Sequence, residues 1–344
     1  MGGYWPWLLS RSSWVIILLG TVSALLLPAL QDLQIDSSPS ALIVSDSPQN
    51  IYHQEFRRIF GNDEILLIGL TVENLLEPET LASIRKVTET IETLPGVKRV
   101  LSLTNVLDIL DTNGELTITP LIPDSVSSLN SDALRLRLRS NPLYQKELIS
   151  SDLRTTALFT FFENPSTDKG KNVVRQLVPQ IRNIVKPLKQ HGHVFIGGVP
   201  EMEYTGMENM IRDLWVFTPI TLGLVMVILI INSRSGRGIA LPLLAISLTL
   251  IWTLAAMSLS DHPLKPTTLV LPSLLIANGS AYVIHLLAHY YQTLLWAYSK
   301  VSCPKKIPLN NAQYHRVLLD TLSRAHTPIA ISAATTMAGF SALG

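Results

Sequence analysis

Five long apolar runs constrain this chain more than any other feature of its sequence. They occupy residues 14–30, 214–231, 238–259, 267–287 and 327–344. An α-helix rises about 1.5 Å per residue, so about 20 apolar residues cross the ~30 Å hydrocarbon core of a bilayer. A composition with 47% hydrophobic and only 15% charged residues agrees with a location in lipid. The sequence therefore predicts an α-helical polytopic membrane protein with five transmembrane helices.

The first and the last runs each raise a further question. Residues 14–30 could be a secretory signal peptide, but they are longer than the usual apolar core of one, and only Arg11 precedes them. We therefore expect an uncleaved first span.

Residues 327–344 stay apolar to the end without a charged stop. We expect an incomplete fifth span, so that the chain is either a fragment of a longer protein or requires a partner.

The positive charges predict the orientation of the spans. The link between the second and third runs carries Arg234 and Arg237 without an acid, and residues 288–326 form a basic loop. Because lysine and arginine concentrate in cytoplasmic loops, both segments should be cytoplasmic, together with residues 1–13. Residues 31–210, which hold 23 of the 26 acidic residues, should then lie on the exoplasmic or periplasmic side.

The outer region has the pattern of a folded α/β domain. Two helical segments each lie between two strand-like segments, which predicts two β-α-β units. The predicted strands are residues 65–71, 97–103, 155–162 and 194–197, and the predicted helices are residues 78–94 and 171–190. Two such units favour a split βαβ sandwich of the ferredoxin-like type.

A basic stripe lies between these two units. Arg135, Arg137 and Arg139 alternate with leucines in a region rich in turn-forming residues. Such a charge run could mark a binding surface, but a solvated face is the commoner reason for one. We expect the stripe to be a solvated face.

The fourth run contains a group of polar residues at membrane depth. Asn278, Gly279, Ser280 and Tyr282 interrupt the apolar sequence near its middle. Polar side chains in lipid are costly unless they face other helices, so they should point into a helix bundle, and Gly279 should let a neighbouring backbone approach. They either stabilise helix packing or line a transport pathway.

Few ionisable residues could serve proton transfer in the membrane. Asp213 lies at the outer end of the second run, and His285 lies near the inner end of the fourth. Neither Asn278 nor Ser280 titrates near neutral pH. His285 and His289 are four residues apart, which suits a metal pair, but no third ligand accompanies them. We predict no metal site, and we keep Asp213 and His285 as candidates for transport.

Four segments resemble one known family in their order and spacing. They are IGGVPEMEYTGMENMIRDLWVF before the second span, PLLAISLTLIWTLAAMSL in the third, LPSLLIANGSAYVIHLL in the fourth, and TPIAISAATTMAGFSALG in the fifth. Together with the outer α/β region, they resemble the first half of a resistance-nodulation-division (RND) exporter. The branch that they resemble is the hydrophobe/amphiphile efflux group related to the mycobacterial large membrane proteins, the MMPL family.

This resemblance implies a fold and a function. The outer region would be a porter-type domain, and the chain would hold one of two RND-type repeats, truncated in its fifth helix. Members export lipids or other hydrophobic compounds from the bacterial inner membrane, driven by proton flow. The implied partners are membrane lipids, a hydrophobic substrate, and a second RND repeat or a homo-oligomer. In related exporters the fourth span carries an aspartate, and the resemblance places Ala281 at that position, so this carboxylate is absent here.

Two other classes of protein remain open on the sequence. One anchor, a large outer domain and closely spaced spans also describe the permease subunits of mechanotransmission-type ABC transporters. The chain could instead be a lipid-binding or scaffold protein of the cell envelope that transports nothing. We find no P-loop, dinucleotide-binding fingerprint or G-x-S-x-G motif, so we predict no enzyme, no cofactor and no nucleic-acid partner.

Overall fold

The structure is a computed structural model, and it divides into two compact units. One unit is Ser37–Asn209, and the other combines Met1–Asp36 with Met210–Gly344. The described residues are 7, 11–39, 47–60, 64–112, 115–123, 131–141, 144–145, 147–163, 168–232, 236–300 and 311–341.

The described residues form nine helices of two turns or more and six strands. The helices are α1 (Ser12–Leu26), α2 (Pro48–Phe60), α3 (Pro78–Glu92), α4 (Ser131–Ser140), α5 (Asp168–Val185), α6 (Val199–Asn232), α7 (Gly236–Leu259), α8 (Leu271–Lys300) and α9 (Asn311–Ser341). The strands are β1 (Ile65–Thr71), β2 (Val97–Leu101), β3 (Leu107–Thr112), β4 (Glu115–Pro120), β5 (Thr155–Phe162) and β6 (His193–Gly197). Short 3-10 helices follow α1 and α5, at Pro28–Asp32 and Lys186–Gln190.

The unit Ser37–Asn209 is built on a four-stranded antiparallel sheet in the order β2-β5-β1-β6. Two β-α-β units supply these strands, since α3 connects β1 to β2 and α5 connects β5 to β6. This is the connectivity of a split βαβ sandwich. The predicted strands 65–71 and 155–162 have the bounds that the structure gives β1 and β5. An insertion between the two β-α-β units forms the hairpin β3-β4 and the helix α4.

The two faces of this sheet differ in burial. In β5, buried and half-buried residues alternate along the whole strand, as expected when one face of a sheet meets the core. Leu66, Ile68 and Leu158 are fully buried on the face that packs against α3 and α5. On the opposite face, Leu67 and Phe195 are 37% and 62% exposed. That second face is therefore only partly covered.

Two glycines fix the turns at the ends of these elements. Gly96, which follows α3, has a φ of 98°, and Gly198, which precedes α6, has a φ of 106°. This left-handed region is strained for residues with a Cβ atom. A Cβ on Gly198 would also collide with the backbone oxygen of Ile65. Gly96 therefore permits the left-handed turn that separates α3 from β2.

The second unit contains helices that could cross a membrane. Four segments of the described chain are long and apolar enough: Ser12–Asp32, Val199–Ile231, Gly238–Leu259 and Leu271–Trp296. Buried side chains from α6, α7 and α8 pack together at Val225, Leu229, Ile246 and Ile276. Few other side chains of these helices are buried, as expected for surfaces that meet lipid or a further protein.

Polar contacts join distant parts of this unit. Trp252 Nε1 donates to Ser23 Oγ at 2.8 Å, which links α1 to α7. Beyond the end of α1, the backbone N–H of Leu264 donates to Gln34 O at 2.8 Å, and that of Asp36 donates to Leu264 O at 3.0 Å. The segment after the first span and the link between the third and fourth spans therefore meet at the same end of the unit.

The fourth and fifth predicted segments differ from the helices observed. The fourth was expected at residues 267–287, but α8 begins at Leu271 because residues 266–270 form turns, and it continues to Lys300. Residues 288–326 are not a loop where the structure describes them, since they extend α8 and begin α9. The described part of the predicted fifth span lies in α9, which is not one of the four candidate spans, so that span stays a prediction.

Candidate functional site

Asn278, Gly279 and Tyr282 of the predicted polar group lie at a cavity between α7, α8 and α9. The cavity has a volume of 580 Å³, within the range of small-molecule binding sites. Most of its lining is apolar. It is formed by Ala245, Ile246 and Thr249 of α7, by Leu271, Leu274, Leu275, Asn278, Gly279, Tyr282 and Val283 of α8, and by Ala333, Thr336 and Met337 of α9.

Four hydrogen-bonding side chains line this cavity. Thr249 Oγ1 donates to Ala245 O, and Thr336 Oγ1 donates to Ser332 O, each at 2.9 Å within its own helix. Their oxygens can still accept a hydrogen bond. The hydroxyl of Tyr282 lies 3.4 Å from Ser332 Oγ. The amide of Asn278 has no hydrogen-bond partner among the described residues, so it is available to a bound molecule.

Two predicted residues have other roles in the structure. Ser280 is 8% exposed and donates to Ala277 O at 2.7 Å, so its hydroxyl is satisfied within α8, and it does not line the cavity. Gly279 lies opposite the side chain of Ile246, and an added Cβ would stand 3.5 Å from Ile246 Cγ1. This is ordinary van der Waals contact with a side chain. The expectation that Gly279 admits a neighbouring backbone was therefore wrong.

The structure does not bring the other candidates to this cavity. Asp213 lies on α6, with its carboxylate 4.0 Å from Arg212 Nε, and His285 is exposed on α8. Neither residue lines the cavity. Ala281, the position at which related exporters carry an aspartate, is also exposed and outside the lining.

Sequence reasoning missed the residues that neighbouring helices contribute. Thr249 is one of four serine and threonine residues in the third span, and Thr336 belongs to the run Ser-Ala-Ala-Thr-Thr of α9. Threonine is common in membrane helices, where its hydroxyl bonds to the preceding turn, so neither residue stands out alone. The sequence signal that could have found Thr336 was the cluster of small polar residues facing the equally polar middle of α8.

The chemistry of this cavity is that of a neutral binding site. Its side chains donate and accept hydrogen bonds, but none of them gains or loses a proton near neutral pH. Across the described residues, no group of three or more His, Cys, Asp or Glu side chains could hold a metal ion. The arrangement suits an apolar molecule that carries an uncharged polar group.

Two known proteins are similar to this chain over most of its length. A protein of Methanocaldococcus jannaschii described as a predicted membrane protein is 25% identical over 317 residues, which cover 88% of this chain and 74% of the relative. The crystal structure of a heavy metal efflux pump aligns with 97% of this chain at 11% identity and a TM-score of 0.35. This chain spans 46% of that pump's length.

The family resemblance inferred from the sequence is confirmed by a direct match. The profile of the MMPL family matches residues 43–296, which include most of the α/β unit and all of α6 and α7. The match also includes the part of α8 that supplies Asn278, Gly279 and Tyr282. With four helices able to cross a membrane and this match over most of its length, the chain is a multi-pass membrane protein that belongs to the MMPL family.

Proposed function

We propose that this chain is an RND-type transport protein that moves lipids or other hydrophobic compounds in the cytoplasmic membrane of a bacterium. The observation that carries the proposal is the cavity of 580 Å³ between apolar helices of an MMPL family member. Its wall is mostly apolar, and the amide of Asn278 has no hydrogen-bond partner within the described part of the chain. A hydrophobic molecule could enter such a cavity from the bilayer, and its polar group would bond to Asn278, Thr249 or Thr336.

The proposed topology places residues 1–13 in the cytoplasm and the unit Ser37–Asn209 outside it. The backbone pairing of Gln34 and Asp36 with Leu264 supports this arrangement. It puts the end of the first span and the link between the third and fourth spans at one end of the helices, as the predicted alternation requires. In this proposal, a second RND repeat or another copy of this chain completes the transporter.

Two alternatives remain distinguishable by experiment. Membership in the MMPL family gives no support to an ABC-type permease subunit. A lipid-binding or scaffold protein would use the same α/β unit and the same helices but would produce no movement of lipid across the bilayer. Transbilayer movement of lipid therefore separates transport from binding alone.

The test uses the full chain in vesicles that contain an NBD-labelled phospholipid, a lipid that crosses bilayers slowly by itself. Dithionite added outside bleaches only the outer leaflet, so the bleached fraction reports movement between leaflets. We expect faster exchange than in vesicles without protein. Ala333→Phe should slow the exchange by filling the cavity, whereas Ala334→Phe, on the next and exposed residue of α9, should not.

The proposal also concerns proton coupling, which is measured separately from lipid exchange. Because the cavity lining holds no group that titrates near neutral pH, we expect this chain alone to move lipid without an accompanying proton flux. A pH-sensitive dye inside the vesicles measures that flux. Exchange at the rate of protein-free vesicles would overturn the transport proposal and favour the lipid-binding alternative.

A further inference from the structure

A second cavity lies within the α/β unit, on the partly covered face of its sheet. It has a volume of 520 Å³. Its floor is made by the sheet, and its wall by the segments that lead into β3 and out of α4. The lining is Ile65, Leu101, Val106, Leu107, Asn141, Tyr144, Glu147, Leu148, Phe159 and Phe161. Nothing in the sequence pattern predicted this cavity, because its wall comes from the insertion between the two β-α-β units.

The wall of this cavity is held in place by a buried hydrogen bond. The hydroxyl of Tyr144 donates to Asp108 Oδ1 at 2.9 Å and lies 3.2 Å from Leu107 O. Tyr144 and Asp108 are 4% and 3% exposed. The backbone N–H of Ala157 also donates to Leu148 O at 3.0 Å, which fixes the same segment to β5. The cavity is therefore formed before any ligand arrives, which lowers the cost of binding.

The floor presents aromatic rings that attract cations. Phe161 pairs with Ile65 of β1 and with Arg99 of β2, and the guanidinium carbon of Arg99 lies 4.3 Å from the centre of the Phe161 ring. The faces of aromatic rings carry negative electrostatic potential, so a cation over such a ring is stabilised. The sheet thus already holds one cation on the ring that forms the cavity floor.

The one charged residue of the lining also favours a cation. Glu147 is exposed and carries the single formal charge among the lining residues. Within the part of the chain that the structure describes, its carboxylate has no ion-pair partner. Arg99 of β2 is a basic residue of the sheet, but it is engaged with Phe161 and does not line the cavity. A positively charged group entering the cavity would meet the carboxylate of Glu147, and the ring of Phe159, which Arg99 does not engage, lies in the same lining.

We propose that this cavity binds the aliphatic chain of an amphiphile whose head group is an ammonium cation. The chain would lie on Phe159, Leu101 and Leu107, and the ammonium group would lie beside Glu147. The proposal deepens the transport function and rests on it for its biological meaning, but it concerns binding alone. Its test therefore needs no transport.

The experiment uses the full chain in nanodiscs and a decylamine probe that carries a photoreactive diazirine on its chain. Mass spectrometry maps the labelled residues, and unlabelled decylamine, decanol and decanoate compete for labelling. We expect labels on the lining residues at positions 101, 106–107, 141, 144, 147–148, 159 and 161. A charge pair at an exposed carboxylate contributes little, and repulsion of an anion adds a similarly small amount, so decylamine should compete at roughly tenfold lower concentration than decanoate.

Three variants separate this site from others. Glu147→Gln should bring the competing concentrations of decylamine and decanoate together without abolishing labelling. Val106→Trp should fill the cavity and abolish labelling of the lining. Leu67→Trp is the matched control, because Leu67 lies on the same sheet face but outside the lining, and labelling should persist.

Several outcomes would overturn the proposal. If decanoate competed more strongly than decylamine, the positive charge that we propose for the head group would be wrong. If Arg99→Gln removed the preference between head groups and Glu147→Gln did not, the charged contact would be at Arg99 and not at Glu147. Labels spread over the membrane helices without enrichment at the lining would mean that the probe only partitions into lipid. None of these results depends on whether the protein moves lipid, so the transport proposal is judged separately.

Discussion

Replacing Arg182 by methionine should destabilise the α/β unit by about 3 kcal/mol, since Arg182 connects α5 to the first turns of α6. Its guanidinium donates to both carboxylate oxygens of Glu201, to Glu208 Oε2 at 3.0 Å and to Thr205 Oγ1 at 2.7 Å. It also lies 4.8 Å from the centre of the Tyr204 ring. The carboxylate of Glu201 raises the pKa of Arg182 further above its ordinary value, so the group stays charged.

The exposure of the carboxylates of Glu201 and Glu208 determines how much stability the substitution of Arg182 removes. The side chain of Glu201 is 16% exposed, and leaving a buried carboxylate unpaired costs about 3–5 kcal/mol. The side chain of Glu208 is 49% exposed, and such a surface pair contributes at most about 1 kcal/mol and is screened by salt. We therefore expect about 3 kcal/mol for Arg182→Met, at the lower end of the buried range, and less than about 1 kcal/mol for Glu208→Gln.

Hydrogen exchange of the full chain in nanodiscs measures this loss. Amides of α5 and β6 that exchange through opening of the unit should exchange about a hundredfold faster in Arg182→Met. Arg175→Met is the matched control, because Arg175 lies on the same helix and has no ion-pair partner in the described part of the chain. Equal effects of the two substitutions, or less than a threefold change in Arg182→Met, would refute the reasoning.

Three further predictions follow from single features of the structure. Gly198→Ala should lower the thermal unfolding temperature strongly, because of the positive φ and the collision with a backbone oxygen, whereas Gly279→Ala should be neutral or gain up to about 1 kcal/mol. Burial raises the pKa of Tyr144 from about 10 to about 12, so its contribution of about 3 kcal/mol is complete below pH 10 and is lost as the pH rises through 12. Tyr144→Phe should lack this loss in pH-dependent unfolding. In intact cells, an impermeant thiol reagent should label Ser151→Cys but not Cys303; labelling of Cys303 alone would reverse the proposed topology.

The sequence predicted the sheet well because its strands and helices carry local signals. Thr155–Phe162 is rich in threonine and aromatic residues, which favour strands, and Pro78–Glu92 has the apolar spacing of a helix that buries one face. The start of α8 was harder to predict. Residues 267–270 are apolar enough for a helix but form turns, and Pro272 is tolerated in the first helical turn, where its missing N–H costs nothing.

The candidate site was predictable only in part, because half of its polar residues belong to other helices. Asn278 and Tyr282 stand out in α8, and both line the cavity. Ser280 stands out equally, but its hydroxyl bonds within the helix, which a sequence alone cannot distinguish. Contacts between distant residues, such as Trp252 with Ser23, depend on how the helices pack and have no local pattern.

The position of Ala281 limits how proton flow could act on this cavity. A proton-driven cycle requires a side chain that binds and releases a proton near neutral pH, and the lining has none. The resemblance places the usual aspartate at Ala281, yet Ala281 is exposed and outside the lining. A carboxylate there would cost about 2.5–3.5 kcal/mol at the bilayer centre without meeting the bound molecule.

Ala281→Asp should therefore destabilise the helices and create no proton flux in this chain alone. The comparison is with Thr336→Asp, which puts a carboxylate on the cavity lining beside the amide of Asn278. Dye quenching inside vesicles under an imposed pH gradient measures both variants, and their unfolding temperatures identify any variant that fails to fold. Proton entry in Ala281→Asp would mean that the carboxylate reaches the transport pathway from the exposed side of α8, and that the pathway is not the cavity between α7, α8 and α9.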